Sequence, residues 1–246
     1  IRVDNLPVAL SVENLTRLGE YEDVSFQVHA GEVLGITGLL GSGRTELALS
    51  LFGMTQPDSG RIRIDGREVR FRTPSEAIEH GIAYVSEDRL TLGLVLDQPI
   101  GSNIVVTVLD KLAGPLRLID SRTRRTTVDK WVRDLAIKTG DPENPVKTLS
   151  GGNQQRVVLA KWMARNPRVL ILDSPTVGVD ISAKDGIYEI VKRLAGEGVA
   201  IIMISDEVPE VLYHSHRVLV MRAGRLAGDY VPFRSSEQEL MAAVNA

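Results

Sequence analysis

Eight residues near the start of the chain have the composition of a loop that binds phosphate. Residues 38–45 read GLLGSGRT; they follow the apolar run Val33–Thr37 and precede a helical pattern over residues 46–52. Glycines let backbone N–H groups turn toward phosphate oxygens, and the helix N-terminus adds partial positive charge. The alternative is an ordinary glycine-rich turn between a strand and a helix. The predicted phosphate-binding residues are Gly38, Leu39, Leu40, Gly41, Ser42, Gly43, Arg44, Thr45 and Glu46.

A second candidate group is the carboxylate that ends the apolar run Val169–Asp173. In phosphate-loop sites such an acid holds Mg²⁺ directly or through water, and the hydroxyl of Thr45 is the other expected ligand. The alternative for Asp173 is an ordinary aspartate at a strand end. Ser174 follows Asp173, and its hydroxyl cannot take up a proton near neutral pH. A group that can do so, a general base, typically raises the rate by about 10²–10⁴.

A third motif, LSGGNQQ at residues 149–155, opens an amphipathic helix predicted over residues 154–165. A serine hydroxyl, backbone N–H groups and a helix N-terminus would meet there, which is an arrangement that binds an anion. A serine-capped helix after a glycine turn is the structural alternative. The residues predicted to contact the anion are Ser150, Gly151, Gly152, Asn153 and Gln154.

The elements that must position these groups alternate along the chain between β-branched runs and helical patterns. Four runs are apolar nearly throughout, as in strands covered on both faces, and three N-terminal stretches alternate, as in an antiparallel sheet with one wet face. The apolar runs are Val33–Thr37, 82–86, Val169–Asp173 and 199–205; the alternating ones are 9–12, 24–28 and 61–64. The sequence predicts an α/β fold with a mostly parallel sheet and an N-terminal antiparallel β subdomain.

Between about residues 90 and 148 the pattern becomes helical. Residues 102–112 and 121–138 are predicted helices, and Gly140, Pro142 and Pro145 end the stretch. We therefore expect residues 1–89 and 149–246 to form the α/β core with the β subdomain, and residues 90–148 to form an inserted helical subdomain. A last helix is predicted at residues 237–244.

Composition limits the classes of function. The chain has 246 residues, a net charge of −3 and no cysteine. No basic field indicates a nucleic-acid partner, and no disulfide framework or thiolate metal site is possible. The four histidines show no metal-ligand spacing.

The three motifs together resemble the nucleotide-binding domain of ATP-binding cassette (ABC) transporters, whose signature usually reads LSGGQ. The resemblance covers essentially the whole chain. Three features, LSGGNQQ, YVSEDR at residues 84–89 and GLLGSGRTEL at residues 38–47, resemble the second, C-terminal cassette of tandem importers for ribose, galactose or xylose. The start at Ile1, without a methionine, is interpreted as the joint between the two halves.

The resemblance implies a P-loop (RecA-like) fold, ATP and Mg²⁺ as ligands, and a place on the cytoplasmic face of the inner or plasma membrane. The implied partners are a second ATP-binding cassette, membrane-spanning permease subunits and, through the permease, a periplasmic or extracellular sugar-binding protein. No nucleic-acid partner is expected.

Four positions depart from what the family uses for chemistry. Arg44 replaces the lysine of the loop, Glu87 the glutamine near Mg²⁺ and the attacking water, and Ser174 the glutamate that polarises this water. Asp206 replaces the histidine that contacts the γ-phosphate, and a carboxylate there repels phosphate; a harmless variation at a strand end is the alternative. All four belong to this cassette's own hydrolytic site, whereas the signature, which serves the opposite cassette, is nearly intact. We therefore expect a degenerate own site and one working site that uses this chain's signature.

Weaker signals are left open. Tyr21 is either an adenine-stacking ring or a residue of the sheet or surface, and Asp180 resembles a residue that touches the other cassette. The basic run of Arg122, Arg124, Arg125, Lys130 and Arg133 is either a solvated helix face or a docking face for a membrane protein.

Three functions compete: a sugar-transporter ATPase, a non-transport ABC ATPase acting on ribosomes or DNA, and a regulatory module that dimerises on binding nucleotide. The absence of a basic surface and the motif variants argue against the second. Copurification with a two-cassette chain and a membrane permease would separate it from the other two. The sequence does not name the sugar.

Overall fold

The computed structural model describes residues 3–114 and 118–246, which form two compact units. The sheet unit comprises residues 3–84, 167–175 and 191–246, and the helical unit comprises residues 85–114, 118–166 and 176–190. The helical unit contains the described part of the predicted insertion, residues 90–148, and extends beyond it on both sides.

Ten strands and nine α-helices are found in the described part of the chain. The strands are β1 (Val8–Arg17), β2 (Tyr21–His29), β3 (Val33–Thr37), β4 (Ser59–Ile64), β5 (Arg67–Val69), β6 (Ile82–Val85), β7 (Val169–Asp173), β8 (Ala200–Ile204), β9 (Arg217–Arg222) and β10 (Arg225–Tyr230). The helices are α1 (Arg44–Leu51), α2 (Pro74–Glu79), α3 (Ile100–Val105), α4 (Leu109–Leu112), α5 (Ser121–Asp134), α6 (Gly151–Met163), α7 (Ile181–Gly196), α8 (Val208–His214) and α9 (Glu237–Asn245). Within the described residues, no helix combines the length and apolarity that crossing a bilayer requires.

The N-terminal strands form the predicted antiparallel sheet, in the order β2-β1-β4-β5. In β2 the buried residues Tyr21, Val24, Phe26 and Val28 are separated by exposed ones, because successive side chains point to opposite faces of a strand. Burial of one face and exposure of the other explain the alternation seen in the sequence. The predicted antiparallel β subdomain is confirmed.

The second sheet has six strands in the order β10-β9-β3-β8-β7-β6. Strand β3 pairs in parallel with β8 and β9, β7 pairs in parallel with β8, and β10 is antiparallel to β9. Every residue of β3, β7 and β8 is buried, which explains why these strands are apolar nearly throughout. The predicted, mostly parallel sheet is confirmed; β6 and β8 are one or two residues shorter than the runs that predicted them.

Helix boundaries differ from prediction where side chains cap the ends. Helix α5 ends at Asp134 rather than at residue 138, because Ala136 adopts a left-handed φ of +49°. The Arg156 guanidinium donates hydrogen bonds to the carbonyls of Leu135 and Ala136. Helix α6 begins at Gly151 rather than at residue 154, because Ser150 caps it. The predicted helix 102–112 is divided into α3, a 3₁₀ turn at Val106–Val108 and α4.

A buried lysine fixes one end of a short π-helical turn, Arg89–Gly93, in the helical unit. Lys161 of α6 is 8% exposed, and its Nζ donates to the Gly93 carbonyl at 2.6 Å. Burial disfavours the charged ammonium and lowers the pKa of Lys161 to about 8.

Because the folded-state pKa of Lys161 lies below its ordinary value of 10.5, the unfolded chain binds more protons between pH 8 and 10.5. The free energy of unfolding should therefore rise with pH across this window, by about 3 kcal/mol relative to Lys161→Met, which has no such proton to lose. Chemical denaturation of both proteins at pH 7.5, 9 and 10.5 measures the difference. Parallel stability curves would contradict the assignment.

Candidate functional site

The glycine loop, residues 38–45, joins β3 to α1 as the sequence predicts. Gly41 and Gly43 have φ of +78° and +95°, a left-handed conformation that glycine adopts without strain. The turn is closed by the Ser42 N–H, which donates to the Leu39 carbonyl at 3.0 Å. The Ser42 carbonyl in turn accepts from the Gly224 N–H at 3.0 Å, so the loop is fastened to the β9–β10 turn.

Close packing explains two glycines of the loop. A Cβ on Gly38 would run into the Met221 carbonyl, and a Cβ on Gly43 would lie 2.6 Å from the Glu20 carbonyl oxygen. Both obstacles are backbone atoms, which cannot rotate away. Glycine is therefore required at these two positions by the fold of the sheet unit.

Polar side chains of the loop, and of the residue before it, are buried. Thr37 and Ser42 are 0% and 4% exposed, and neither hydroxyl has a hydrogen-bond partner among the described residues. Buried hydroxyls are ordinarily paired, so these two fit a site that is completed by a polar ligand. Arg44 is 8% exposed, and its guanidinium donates to the Leu39 carbonyl at 3.4 Å, which keeps the cation against the loop.

Three neighbouring strands end at the same edge as the loop. In the register of the sheet, Ile36 of β3 pairs with Ile204 of β8, which pairs with Asp173 of β7. The segments that follow these strands begin side by side, because parallel strands share a carboxyl edge. The fold thus brings the loop, the pair Asp173 and Ser174, and Asp206 to one edge of the sheet.

Asp173 is 1% exposed and accepts a hydrogen bond from the Tyr84 hydroxyl at 3.0 Å. The Tyr84 ring packs against Phe52, with the ring centroids 5.4 Å apart. Phe52 directly follows α1, so this pair of rings connects the helix of the loop to the acidic strand. Sequence reasoning missed the contact of Tyr84 with Asp173, since the two lie 89 positions apart.

The two residues predicted to replace the catalytic groups occupy different environments. Ser174 is half-buried with φ +48°, and its N–H donates to the Ile204 carbonyl at 2.9 Å. Asp206 is exposed and follows the buried Ser205, whose N–H donates to the Ile36 carbonyl at 3.1 Å. Backbone hydrogen bonds at Ser174, and at Ser205 next to Asp206, keep both segments in place.

The LSGGNQQ segment, residues 149–155, lies in the helical unit. The Ser150 hydroxyl accepts from the N–H and the side-chain amide of Asn153, at 3.5 and 3.1 Å, and caps α6. A Cβ on Gly151 would lie 2.6 Å from the Gly178 carbonyl oxygen, and one on Gly152 would lie 2.7 Å from the Ala183 Cβ. The two glycines let the start of α6 pack against the segment that runs from Gly178 into α7.

Tyr21 is 2% exposed in β2, which favours its interpretation as a residue of the sheet over that of an adenine-stacking ring. A cavity of about 340 Å³ beside Gly41 is lined by Tyr21 together with Leu18, which is 80% exposed, and with Gly224. Glu87 is an exposed residue of the helical unit, and its predicted role stays a prediction.

A family model described as ABC transporter matches residues 21–177. The ribose import ATP-binding protein RbsA of Geobacillus kaustophilus is 52% identical over 217 residues, which cover 88% of this chain and 44% of that protein. RbsA of Halalkalibacterium halodurans is 45% identical over 234 residues, covering 95% of this chain and 47% of that protein. The chain thus spans about half the length of these curated relatives.

Solved structures agree with the fold. An ATP-binding cassette of an ABC transporter in its ADP conformation superposes with a TM-score of 0.79 at 21% identity, covering 97% of this chain and 95% of that one. The two sheets and the helices of the described units are therefore those of an ATP-binding cassette. Family model, relatives and fold agree that the chain belongs to the ABC transporter family.

Proposed function

We propose that this chain is an ATP-binding cassette of a monosaccharide importer whose own catalytic site is degenerate and whose LSGGNQQ segment completes the site of a partner cassette. The observation that carries the proposal is an asymmetry between two regions. The sheet edge keeps the parts that bind a nucleotide but lacks the base, whereas the start of α6 keeps the parts that meet a γ-phosphate.

Nucleotide phosphates fit the glycine loop, residues 38–45. Its tight turn, in which Gly38 and Gly43 pack against backbone carbonyls, leaves the hydroxyls of Thr37 and Ser42 buried without a partner. Arg44 supplies a positive charge that can form charge-assisted hydrogen bonds. The apolar Leu18 beside Gly41 offers a surface on which an adenine base can lie.

Mg²⁺ fits the oxygen ligands at the same edge. Thr45 and Asp173 would hold it, since Mg²⁺ prefers hydroxyl and carboxylate oxygens. When bound, the ion neutralises the charge that develops on the phosphate oxygens. The Tyr84 hydroxyl donates a hydrogen bond to Oδ2 of Asp173 and so orients the carboxylate.

Hydrolysis at this edge lacks its base. Ser174 cannot accept a proton from water near neutral pH, and the Asp206 carboxylate repels the phosphate that a histidine would contact. The site accordingly binds nucleotide and turns it over slowly.

The start of α6 suits an anion that this chain does not itself hold. Ser150 caps the helix, and Gly151 and Gly152 leave the helix N-terminus without bulky side chains. A helix of 13 residues adds a partial positive charge there. The partner cassette supplies the ATP, and this chain supplies the segment that closes over it.

Sugar import is supported by the relatives, which are named ribose import ATP-binding proteins and are about twice as long as this chain. We infer that the chain is the second cassette of such a tandem protein. Permease subunits and a sugar-binding protein complete the transporter, and the cassette lies on the cytoplasmic face of the membrane. The alternation of binding and release at the composite site drives the permease.

Gly43→Asp should weaken binding of Mg·ATP to the purified chain by at least about ten-fold, because it puts a carboxylate among the phosphates and a Cβ against the Glu20 carbonyl. Isothermal calorimetry measures the affinity. Gly66→Asp is the matched control: Gly66 also has positive φ, with open space around it, and lies in the β4–β5 turn. Absence of heat for the unmodified chain at millimolar Mg·ATP would contradict nucleotide binding, as would equal affinities for the two variants.

A further inference from the structure

Arg89 is a buried arginine that joins two backbone segments of the helical unit. Its side chain is 8% exposed by residue, and its Nη1 and Nη2 donate to the carbonyls of Val177 and Gly178 at 2.5 and 2.8 Å. Burial lowers the pKa of the guanidinium by disfavouring its charged form. A buried cation is retained only where hydrogen bonds compensate for lost water, and these two carbonyls provide them.

The same guanidinium lies against the start of α6. A Cβ built on Gly151 would be 3.0 Å from Nη2 of Arg89, and one built on Gly178 would be 3.1 Å from both of its terminal nitrogens. Gly178 itself has φ +66°, so the segment turns there to present its carbonyl to the arginine. Guanidinium, turn and helix start therefore pack with no room for one additional methyl group.

The element that carries Arg89 is also fixed. The π-helical turn Arg89–Gly93 is capped by Asp88, whose carboxylate accepts from the Thr91 N–H at 3.1 Å. At its other end the Gly93 carbonyl accepts from Lys161. A displacement of this turn consequently moves the guanidinium and with it the two carbonyls that it holds.

We propose that Arg89 is a positioning residue for the LSGGNQQ segment: its guanidinium holds Val177 and Gly178 against Gly151 and so sets the orientation of the helix start that meets the partner's γ-phosphate. The proposal rests on the function inferred above for this segment. It assigns to the YVSEDR stretch a mechanical task in the composite site that involves no contact with nucleotide in the chain's own loop.

Hydrogen exchange on the purified chain tests the positioning directly. Arg89→Lys keeps the charge but replaces a planar fork with a single ammonium, which cannot bind both carbonyls in the same geometry. Amide protection at Val179, Asn153 and Gln154 should fall by about ten-fold or more. Mg·ATP affinity of the chain's own loop should stay unchanged.

The matched control is Arg165→Lys. Arg165 also lies in the helical unit, where its guanidinium binds the Asp110 carboxylate and the Thr107 carbonyl. Its replacement should leave protection at Val179 and Asn153 unaltered. Equal protection in Arg89→Lys and the unmodified chain would overturn the proposal, and so would an equal loss at these amides in Arg165→Lys.

Turnover gives the second readout, in the assembled transporter with both cassettes. Arg89→Lys should lower kcat for ATP about ten-fold while KM changes by less than about two-fold, because only closure of the composite site is affected. Combined with Ser150→Ala, its effect should be much less than additive, since both variants act through the same helix start. Full additivity would show that Arg89 acts elsewhere and would overturn the proposal.

The two proposals fail separately. If Ser150→Arg leaves hydrolysis intact, the function proposed for the segment is wrong, and the exchange experiment still decides whether Arg89 positions it. Should Arg89→Lys not fold, Gly151→Ala perturbs the same contact from the other side, because its Cβ must displace the Gly178 carbonyl or the guanidinium. Unchanged protection at Val179 in Gly151→Ala would then overturn the proposal.

Discussion

Ser150→Arg should nearly abolish ATP hydrolysis by the assembled two-cassette transporter, whereas Arg44→Ala should cost far less. In the proposed function the start of α6 meets the partner's γ-phosphate, so a bulky arginine side chain there should block closure. In the proposed function Arg44 belongs to the degenerate site, so its loss should affect nucleotide binding there and not the working site. We expect a loss of about 10²-fold or more for Ser150→Arg and less than about five-fold for Arg44→Ala.

The decisive quantity is the ratio of the two losses in transport-coupled ATPase activity, measured on variants that assemble with the permease. Ser236→Arg is a matched control, because Ser236 caps α9 by the same type of hydrogen bond to the backbone N–H three residues on. It reports the cost of losing a cap, ordinarily about 1 kcal/mol, without touching α6. Equal losses for Ser150→Arg and Arg44→Ala, or a larger one for Arg44→Ala, would show that this cassette's own site turns over.

The isolated chain should hydrolyse ATP well below 1 per second, the lower end of ordinary enzyme turnover, which is roughly 1–10³ per second. Ser174 offers no base, and in the proposed function the Asp206 carboxylate repels the phosphate. Release of inorganic phosphate from Mg·ATP by the purified chain measures the rate. Steady turnover within the ordinary range would refute the degenerate site.

Ser174→Glu by itself should not restore activity. The backbone at this position has φ +48° and its N–H is tied to Ile204, so a glutamate would be held at the sheet edge, yet Arg44 and Asp206 would remain. The triple variant Ser174→Glu, Asp206→His and Arg44→Lys is the comparison that separates the contributions. Full activity in Ser174→Glu alone would mean that the other two departures are harmless.

Much of this site could be predicted from local sequence because its parts are local. The strand–loop–helix unit from Val33 to Leu51 is predicted by glycines spaced between an apolar run and a helical pattern. The buried strands β7 and β8 are evident from unbroken apolar runs, and a cap by Ser150 is one of the two interpretations that residues 149–155 allow. Each of these signals depends on residues within about twenty positions of one another, over which backbone geometry and side-chain periodicity are set by the chain itself.

The tertiary structure decided which of these parts meet and what supports them. It placed the ends of β3, β8 and β7 at one edge, gave Asp173 the Tyr84 hydroxyl as a partner, and buried Tyr21 in the sheet. It also ended α5 at Asp134 through the capping of its last carbonyls by Arg156. Those contacts join residues 20 to 168 positions apart, and no periodicity or composition encodes such a pairing.

Arg89 shows the same division. Its type and its place in YVSEDR are visible in the sequence, but an arginine in a charged stretch is ordinarily a solvated one. Its burial against Val177 and Gly178 follows from packing among α6, the π-helical turn and the segment before α7, 88 and 89 positions away. The sequence determined that a cation is present, and the tertiary structure decided its role, because the carbonyls that hold it reach it only when the helical unit is folded.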